Sequence, residues 1–222
     1  MKIADEFGGE EAFRALLKAA HARGMKIILD GVFNHTGSDS RYFDEYGRYG
    51  FPARDERSPY HEWYDFHAPE REGAPDYTAW WGIRILPRLN THKDECREFF
   101  TGKGGVAEHY MREGIDGLRL DVADELPDRF LEELRRRIHS VNTQSVLIGE
   151  VWENAADKIA YGKRRSYFRG AQLDSVMNYP TRKALLDFAE NGDANALASA
   201  LTDLYSSYPR CVSDSLMNLI GT

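Results

Sequence analysis

Cysteine is scarce in this chain: two residues in 222, Cys96 and Cys211, far apart and in no CxxC spacing. That fits reduced thiols in a cytoplasmic compartment. Basic charge is also in short supply. Lys and Arg number 29 against 36 Asp and Glu, a net charge of −7, without the basic stripe of a non-specific nucleic-acid binder. No run of about 18 apolar residues occurs, so no membrane span is expected. Charged residues follow Met1 too soon for a secretory signal. A Gly-rich phosphate loop and a His-x-His pair are both missing, which counts against a phosphate- or metal-dependent enzyme. There is no internal repeat.

What is present is a core-forming composition, 42% apolar and 12% aromatic. The length allows one large domain or two small ones. "GEEAFRALLKAAHARG" has Phe13, Leu16, Leu17 and Ala20 at helical spacing, with Gly24 where a helix stops, and "MKIILDGVF" follows as a buried strand. The grammar recurs. "VAEHYMREG" ends at Gly114 before the strand "IDGLRLDV". "LPDRFLEELRRRIHSVN", with Phe130, Leu131, Leu134 and Ile138 on one face, precedes "SVLIGEVW". A further helical stretch is expected next, then the strand "LDSVMNY", helices over "TRKALLDFAE" and near 194–206, and a last apolar run, "SLMNLIGT". Strands near 26–32, 115–122, 145–151, 173–178 and 216–221 alternating with helices predict βα units and a parallel sheet.

One interval breaks the rhythm. Residues 36–92 are too many for a single connection and hold most of the tryptophan, as in "YHEWYDFHAP" and "DYTAWWGIRILPRLN". They predict either a small subdomain leaning over one end of the sheet or an aromatic-rich loop packed on itself.

The strand "GLRLDV" carries Arg119 and Asp121 on one parity and Leu118, Leu120 and Val122 on the other. Inside a βαβ series both faces of a strand are covered, so a charged pair there is costly unless partnered or functional. Other strands also end in polar groups: Asp30, Asn34 and His35, then Glu150 and Trp152, then Asp174 and Asn178. The C-terminal ends of parallel strands are where barrel and doubly wound enzymes build their sites. Two carboxylates facing each other there, with an arginine beside one, suggest glycoside hydrolysis. In retaining enzymes of that kind nucleophile and acid stand about 5–5.5 Å apart. On this reading Arg119 keeps Asp121 ionised, while the apolar neighbours Val151 and Trp152 raise the Glu150 carboxyl and keep it protonated.

At these residues the chain resembles the α-amylase family, glycoside hydrolase family 13. "DGVFNH" (Asp30–His35) is similar to the first signature of that family, "GLRLDVADE" to the second, "GEVW" to the third, and "DSVMNY" to the strand-six segment. The resemblance implies an α/β fold, an incomplete TIM (β/α)8 barrel running from about helix two to strand seven. Its parts would be residues 1–35 and 93–222 of the barrel and the inserted aromatic-rich subdomain 36–92. It implies Asp121 as nucleophile, Glu150 as acid/base, Arg119 as the nucleophile's partner and His35 as a donor to the sugar. The substrate implied is an α-glucan oligosaccharide, cleaved at α-1,4 or α-1,6 bonds.

"LPRLN" (Leu86–Asn90) is similar to the inserted-domain motif of cyclomaltodextrinases, neopullulanases and maltogenic amylases. "VADE" resembles the "VANE" found there, with Asp124 replacing asparagine, so that Glu125 and Trp152 would border the leaving-group side. No cofactor is implied. Calcium is disfavoured: Asn34 matches a calcium-holding asparagine of many α-amylases, but Glu125 stands where the family places a histidine ligand. A homodimer of the full-length protein and a cytoplasmic location accompany this reading.

The match also breaks. Two barrel strands expected upstream are missing, and the chain stops at "MNLIGT", where the family continues with His-Asp, its third catalytic carboxylate. The sequence thus reads as an interior piece, expected to be poorly soluble or inactive alone, since an open parallel sheet leaves unpaired edges. The competing reading is a catalytically inactive fragment or sugar-binding pseudoenzyme. Degenerate relatives usually lose the nucleophile or the acid, and both are present here.

Overall fold

The computed structural model describes residues 2–219 and 221. Its centre is a four-stranded parallel sheet in the order β1 (Ile28–Gly31), β2 (Gly117–Leu120), β3 (Val146–Gly149), β6 (Ser175–Val176). Helices connect the strands: α1 (Gly9–His21) precedes β1, α2 (Asp94–Thr101) and α3 (Val106–Glu113) precede β2, and α4 (Asp128–Val141) precedes β3. Between β3 and β6 lies a two-residue-per-strand antiparallel hairpin, β4 (Ile159–Ala160) with β5 (Lys163–Arg164). After β6 come α5 (Tyr179–Asn191), α6 (Ala194–Ser207) and α7 (Arg210–Ser213). Parallel strands joined by helices make this an α/β architecture, part of a barrel-type domain.

The sheet's two faces have different chemistry. Leu29, Leu118 and Leu147 share one register level, and Asp30, Arg119 and Ile148 share the next. Leu118, Leu120 and Leu147 are buried under the helices, where α4 sends down Phe130, Leu131, Leu134 and Ile138, all fully buried. Each such side chain contributes roughly 1.5–3 kcal/mol by burial. Arg119 and Asp121 take the opposite face because side chains alternate along a strand. Gly114 closes α3 with φ +111°, a conformation costly for any residue with a Cβ. Gly149 admits a close approach: a Cβ there would lie 2.5 Å from Leu173 Cδ1.

Residues 36–92 are turns, bends and two short 3₁₀ helices. Most of their aromatics form a core rather than a binding surface. Phe43 meets Tyr77 at 4.6 Å and Tyr60 meets Trp63 at 4.9 Å, and Trp63 continues onto Phe99 of α2 at 5.0 Å. Backbone bridges His35–Arg88 and Ala79–Pro87 tie the segment to the end of β1 and to itself.

Four expectations need correction. Leu16 is exposed, so the buried stripe of α1 is Phe13, Leu17 and Ala20. The helix anticipated after residue 151 is instead turns and the β4–β5 hairpin, whose centre Tyr161-Gly162 has φ +53° and +75°, as a tight two-residue turn requires. The strand anticipated over 216–221 is a single parallel bridge, Met217 to Met177, within the described residues; Ile220 and Thr222 lie outside them. Asp174 sits at the N-terminal end of β6. There it accepts from the Leu147 N–H (2.9 Å) and Arg135 (2.7 Å), joining sheet to α4 at the end opposite the other polar groups.

Candidate active site

The first strand-end group is Arg119, whose side chain is 17% exposed. Its Nη1 donates to Asp121 Oδ1 (3.0 Å) and to Asp30 Oδ1 (2.8 Å), and its Nη2 lies 3.0 Å from Glu150 Oε1. Its Nε faces Met177 Sδ at 3.2 Å. One guanidinium therefore joins carboxylates from the ends of three adjacent strands. Such multidentate, charge-assisted contacts fix both distance and orientation.

Val122 explains the rest of the geometry. Its backbone is left-handed (φ 40°, ψ 57°), a costly conformation for a β-branched residue. The turn it makes ends β2 and aims its N–H at Glu150 Oε2, 2.8 Å away. Glu150 Oε1 also accepts from Trp152 Nε1 (3.1 Å) and the Tyr179 hydroxyl (3.1 Å).

Both carboxyls shift in the direction opposite to that expected from sequence. Burial pushes the Glu150 carboxyl up, but the Val122 N–H, the Trp152 indole, the Arg119 charge and the Tyr179 hydroxyl together outweigh it and hold it below its ordinary value. Val151 is buried and supplies no apolar wall to the carboxylate's acceptor side, which is ringed by donors. Asp121 moves the other way. Burial raises it, its Arg119 bond only partly offsets that, and the nearby Glu150 charge raises it further. Carboxylates that share one guanidinium titrate as a pair.

His35 completes this side. Burial lowers its imidazole against the opposing pull of Asp121 and Glu125, so it is neutral at neutral pH. Asn34 Nδ2 is 3.3 Å from His35 Nδ1, and the ring stacks on Trp80 at 5.3 Å. An amide donor at Nδ1 leaves the ring proton on Nε2.

A second group of residues lines a cleft of about 380 Å³: Glu150 and Trp152 with Val122, Asp124 and Glu125 from the turn after β2, and Lys158 to Tyr161 from the hairpin. Lys158 pairs with Asp124 at 2.9 Å, and the Tyr167 hydroxyl also donates to Asp124. A larger cavity, about 540 Å³, lies elsewhere, among residues 67–84 of the aromatic segment. It contains none of the strand-end groups, so its size carries no functional weight.

All six site residues inferred from sequence thus gather at one end of the sheet. Sequence reading missed Tyr179, Met177 and the Val122 N–H. Tyr179 and Met177 both stand inside the strand-six motif "DSVMNY", and that motif was their only signal. Among the described residues the sole cluster of three possible metal ligands is Glu10, His109 and Glu113, on α1 and α3, and none of the six site residues belongs to it.

Parallel strands covered by helices, with an arginine-linked carboxylate pair at their C-terminal ends, are the build of a barrel glycoside hydrolase. The family model described as alpha amylase, catalytic domain, matches residues 1–218, and the chain belongs to the alpha-amylase family. It is 34% identical to neopullulanase 2 of Thermoactinomyces vulgaris and 32% identical to a cyclomaltodextrinase of a Bacillus species, in each case over 100% of this chain. It spans 36% and 38% of the length of those proteins. The ligand-free cyclic α-maltosyl-(1→6)-maltose hydrolase of Arthrobacter globiformis superposes with TM-score 0.85 at 28% identity, covering 99% of this chain and 47% of that one. Among the described residues no helix is long and apolar enough to cross a membrane.

Proposed function

We propose that the protein carrying this sequence is a retaining α-glucan hydrolase acting on maltodextrins, cyclodextrins or related oligosaccharides at α-1,4 or α-1,6 bonds. The observation that carries the proposal is Arg119, which holds Asp121 and Glu150 at 3.0 Å each on the ends of adjacent strands. A pair held within the reach of one guanidinium fits the close spacing of double displacement. Asp121 attacks the anomeric carbon, Glu150 protonates the leaving oxygen, and a covalent glycosyl-enzyme forms. Glu150 then takes a proton from water, whose oxygen displaces Asp121.

In the ligand-free site Glu150 is held below its ordinary value and Asp121 above its own, each shift opposite to what the first step needs. Substrate supplies the reversal. A sugar that takes over the Trp152 and Tyr179 hydrogen bonds and excludes water removes part of what keeps Glu150 low. Arg119 meanwhile stays with Asp121. His35 donates from Nε2 to the sugar bound over Asp121, and Glu125 and Trp152 border the leaving-group side. Residues 36–92 form the inserted subdomain that walls the cleft. Asn34 orients His35 through the contact at Nδ1.

The test follows a maltooligosaccharide by proton NMR as the protein hydrolyses it. The first product is the α anomer, and Asp121→Asn lowers kcat by about 10⁴-fold or more, as loss of a nucleophile does. Release of the β anomer, or near-normal turnover by D121N, refutes the assignment. The donor-ringed Glu150 favours one competing reading, a sugar-binding protein without catalysis. In that case D121N and the parent bind alike and neither turns over.

A further inference from the structure

Helices α1 and α3 carry a second gathering of ligating groups. Glu10 and Arg14 stand one turn apart on α1, and His109 and Glu113 stand at the same i, i+4 spacing on α3, which puts each pair on one helix face. The two pairs meet across the seam between the helices. Arg14 donates to both oxygens of Glu113 (2.5 and 2.9 Å), and toward the core Phe13 meets Tyr110 edge-on at 6.2 Å. In that seam a ring nitrogen of His109 and one carboxylate oxygen each of Glu10 and Glu113 lie within 4.8 Å of one another.

The hydrogen bonding there is incomplete. Glu10 Oε1 accepts from the Ile3 N–H (2.7 Å), but Glu10 Oε2 is a buried atom that meets no donor. His109 Nε2 is also a buried atom, and it meets neither donor nor acceptor among the described residues. An imidazole and a carboxylate packed for each other's sake would share a hydrogen bond, and these two do not. Buried polar atoms are nearly always paired, so two unpaired ones from separate helices in one seam call for an occupant.

The donor set says which occupant. Two carboxylates outnumber the one guanidinium, so the seam favours a cation. An imidazole among the donors selects a zinc-like transition metal over calcium or magnesium, which take oxygen ligands. Donors around a tetrahedral zinc stand about 3.4 Å apart, a contraction that rotation of the half-buried side chains supplies. We infer that Glu10, His109 and Glu113 form a zinc-type metal site that clamps α1 to α3, with water as fourth ligand and Arg14 retained on the free oxygen of Glu113. No strand-end residue belongs to it. Its task is to join the helices that lead into β1 and toward β2, whatever the strand ends bind.

The experiment is calorimetric titration of the protein carrying this sequence, stripped of metal by a chelator, with zinc chloride. His109→Ala and Glu10→Gln each weaken zinc binding by at least about 10- to 100-fold, the loss that removing even an outer-shell partner brings. Arg14→Gln, which frees Glu113, tightens it. Thermal unfolding reads the same site: zinc at about 100 times its Kd raises the Tm of the parent by roughly 5–10 °C and leaves the two ligand variants unmoved. Glu10→Gln is isosteric and keeps an oxygen for the Ile3 N–H, so it carries the test even if His109→Ala lowers the metal-free Tm. Absence of zinc binding, or zinc binding that either ligand variant leaves unchanged, overturns the site. Neither result touches the strand-end assignment.

Discussion

Replacing Glu150 by glutamine should destabilise the fold, whereas the matching change at Asp121 should not. Glu150 is 8% exposed and accepts from Val122 N, Trp152 Nε1, Tyr179 Oη and, as an ion pair, Arg119. Glutamine keeps one acceptor oxygen and turns an amide N–H₂ toward the remaining donors. Losing two charge-assisted bonds at ~1.5–3 kcal/mol each gives about 3–6 kcal/mol. Relief from burying a charge offsets part of this, leaving a net loss of about 2 kcal/mol. For a chain of this size that is a fall in Tm of roughly 4–8 °C.

The pH dependence has a definite sign. A carboxyl held low in the folded state contributes stability that is complete above its ordinary value of 4.5 and is lost as pH falls through the folded value. The gap between parent and E150Q therefore closes in acid below about 4.5. Asp121 is raised above its ordinary 3.8, so ionising it opposes folding at neutral pH, and Asp121→Asn is neutral to stabilising there. Thermal unfolding followed by circular dichroism from neutral pH into acid reads both. Equal stability of E150Q and parent at neutral pH, or a loss in D121N as large as in E150Q, refutes the donor-ring account.

Other expectations follow from the same contacts. His35 titrates below the ordinary 6.5 by NMR, and lower still in D121N, because the Asp121 charge is one of the groups holding it up. Arg97 is buried and reaches Glu133 at 2.8 Å, the His92 carbonyl at 3.0 Å, and Asp94. Arg97→Ala strands that buried set, at about 3–5 kcal/mol in urea unfolding. Leu131→Ala opens a fully buried site beneath the sheet, at ~2–5 kcal/mol. Asp116 accepts from the Ile27 N–H, His21 and Lys26 at 2.9–3.0 Å, so Asp116→Asn loosens the approach to β1 by about 1–2 kcal/mol, read as a lower urea midpoint.

The helices and inner strands were legible because their information is local and periodic. Phe130, Leu131, Leu134 and Ile138 repeat at helical spacing, and Arg119 and Asp121 alternate with leucines at strand spacing, so element and face could be read directly. The candidate site was legible for a related reason. Its residues close successive parallel strands, and that topology brings strand ends together however long the connections between them are.

What only the tertiary structure decided is what each of those groups meets. Val151 and Trp152 are apolar neighbours of Glu150 in sequence. In space Val151 is buried in the core, Trp152 offers its N–H, and Val122, some thirty residues away, supplies another, which turns the Glu150 shift downward. Asp174 looked like a strand-end group and lies at the opposite end, because a strand two residues long leaves no pattern from which to read its limits. The hairpin carrying Tyr161 was equally invisible. Its two-residue strands show no period, and the left-handed turn at its tip holds a tyrosine where asparagine or glycine would have signalled it. Period and order are properties of the chain, whereas pKa, strain and the shape of a cleft belong to groups that only folding makes neighbours.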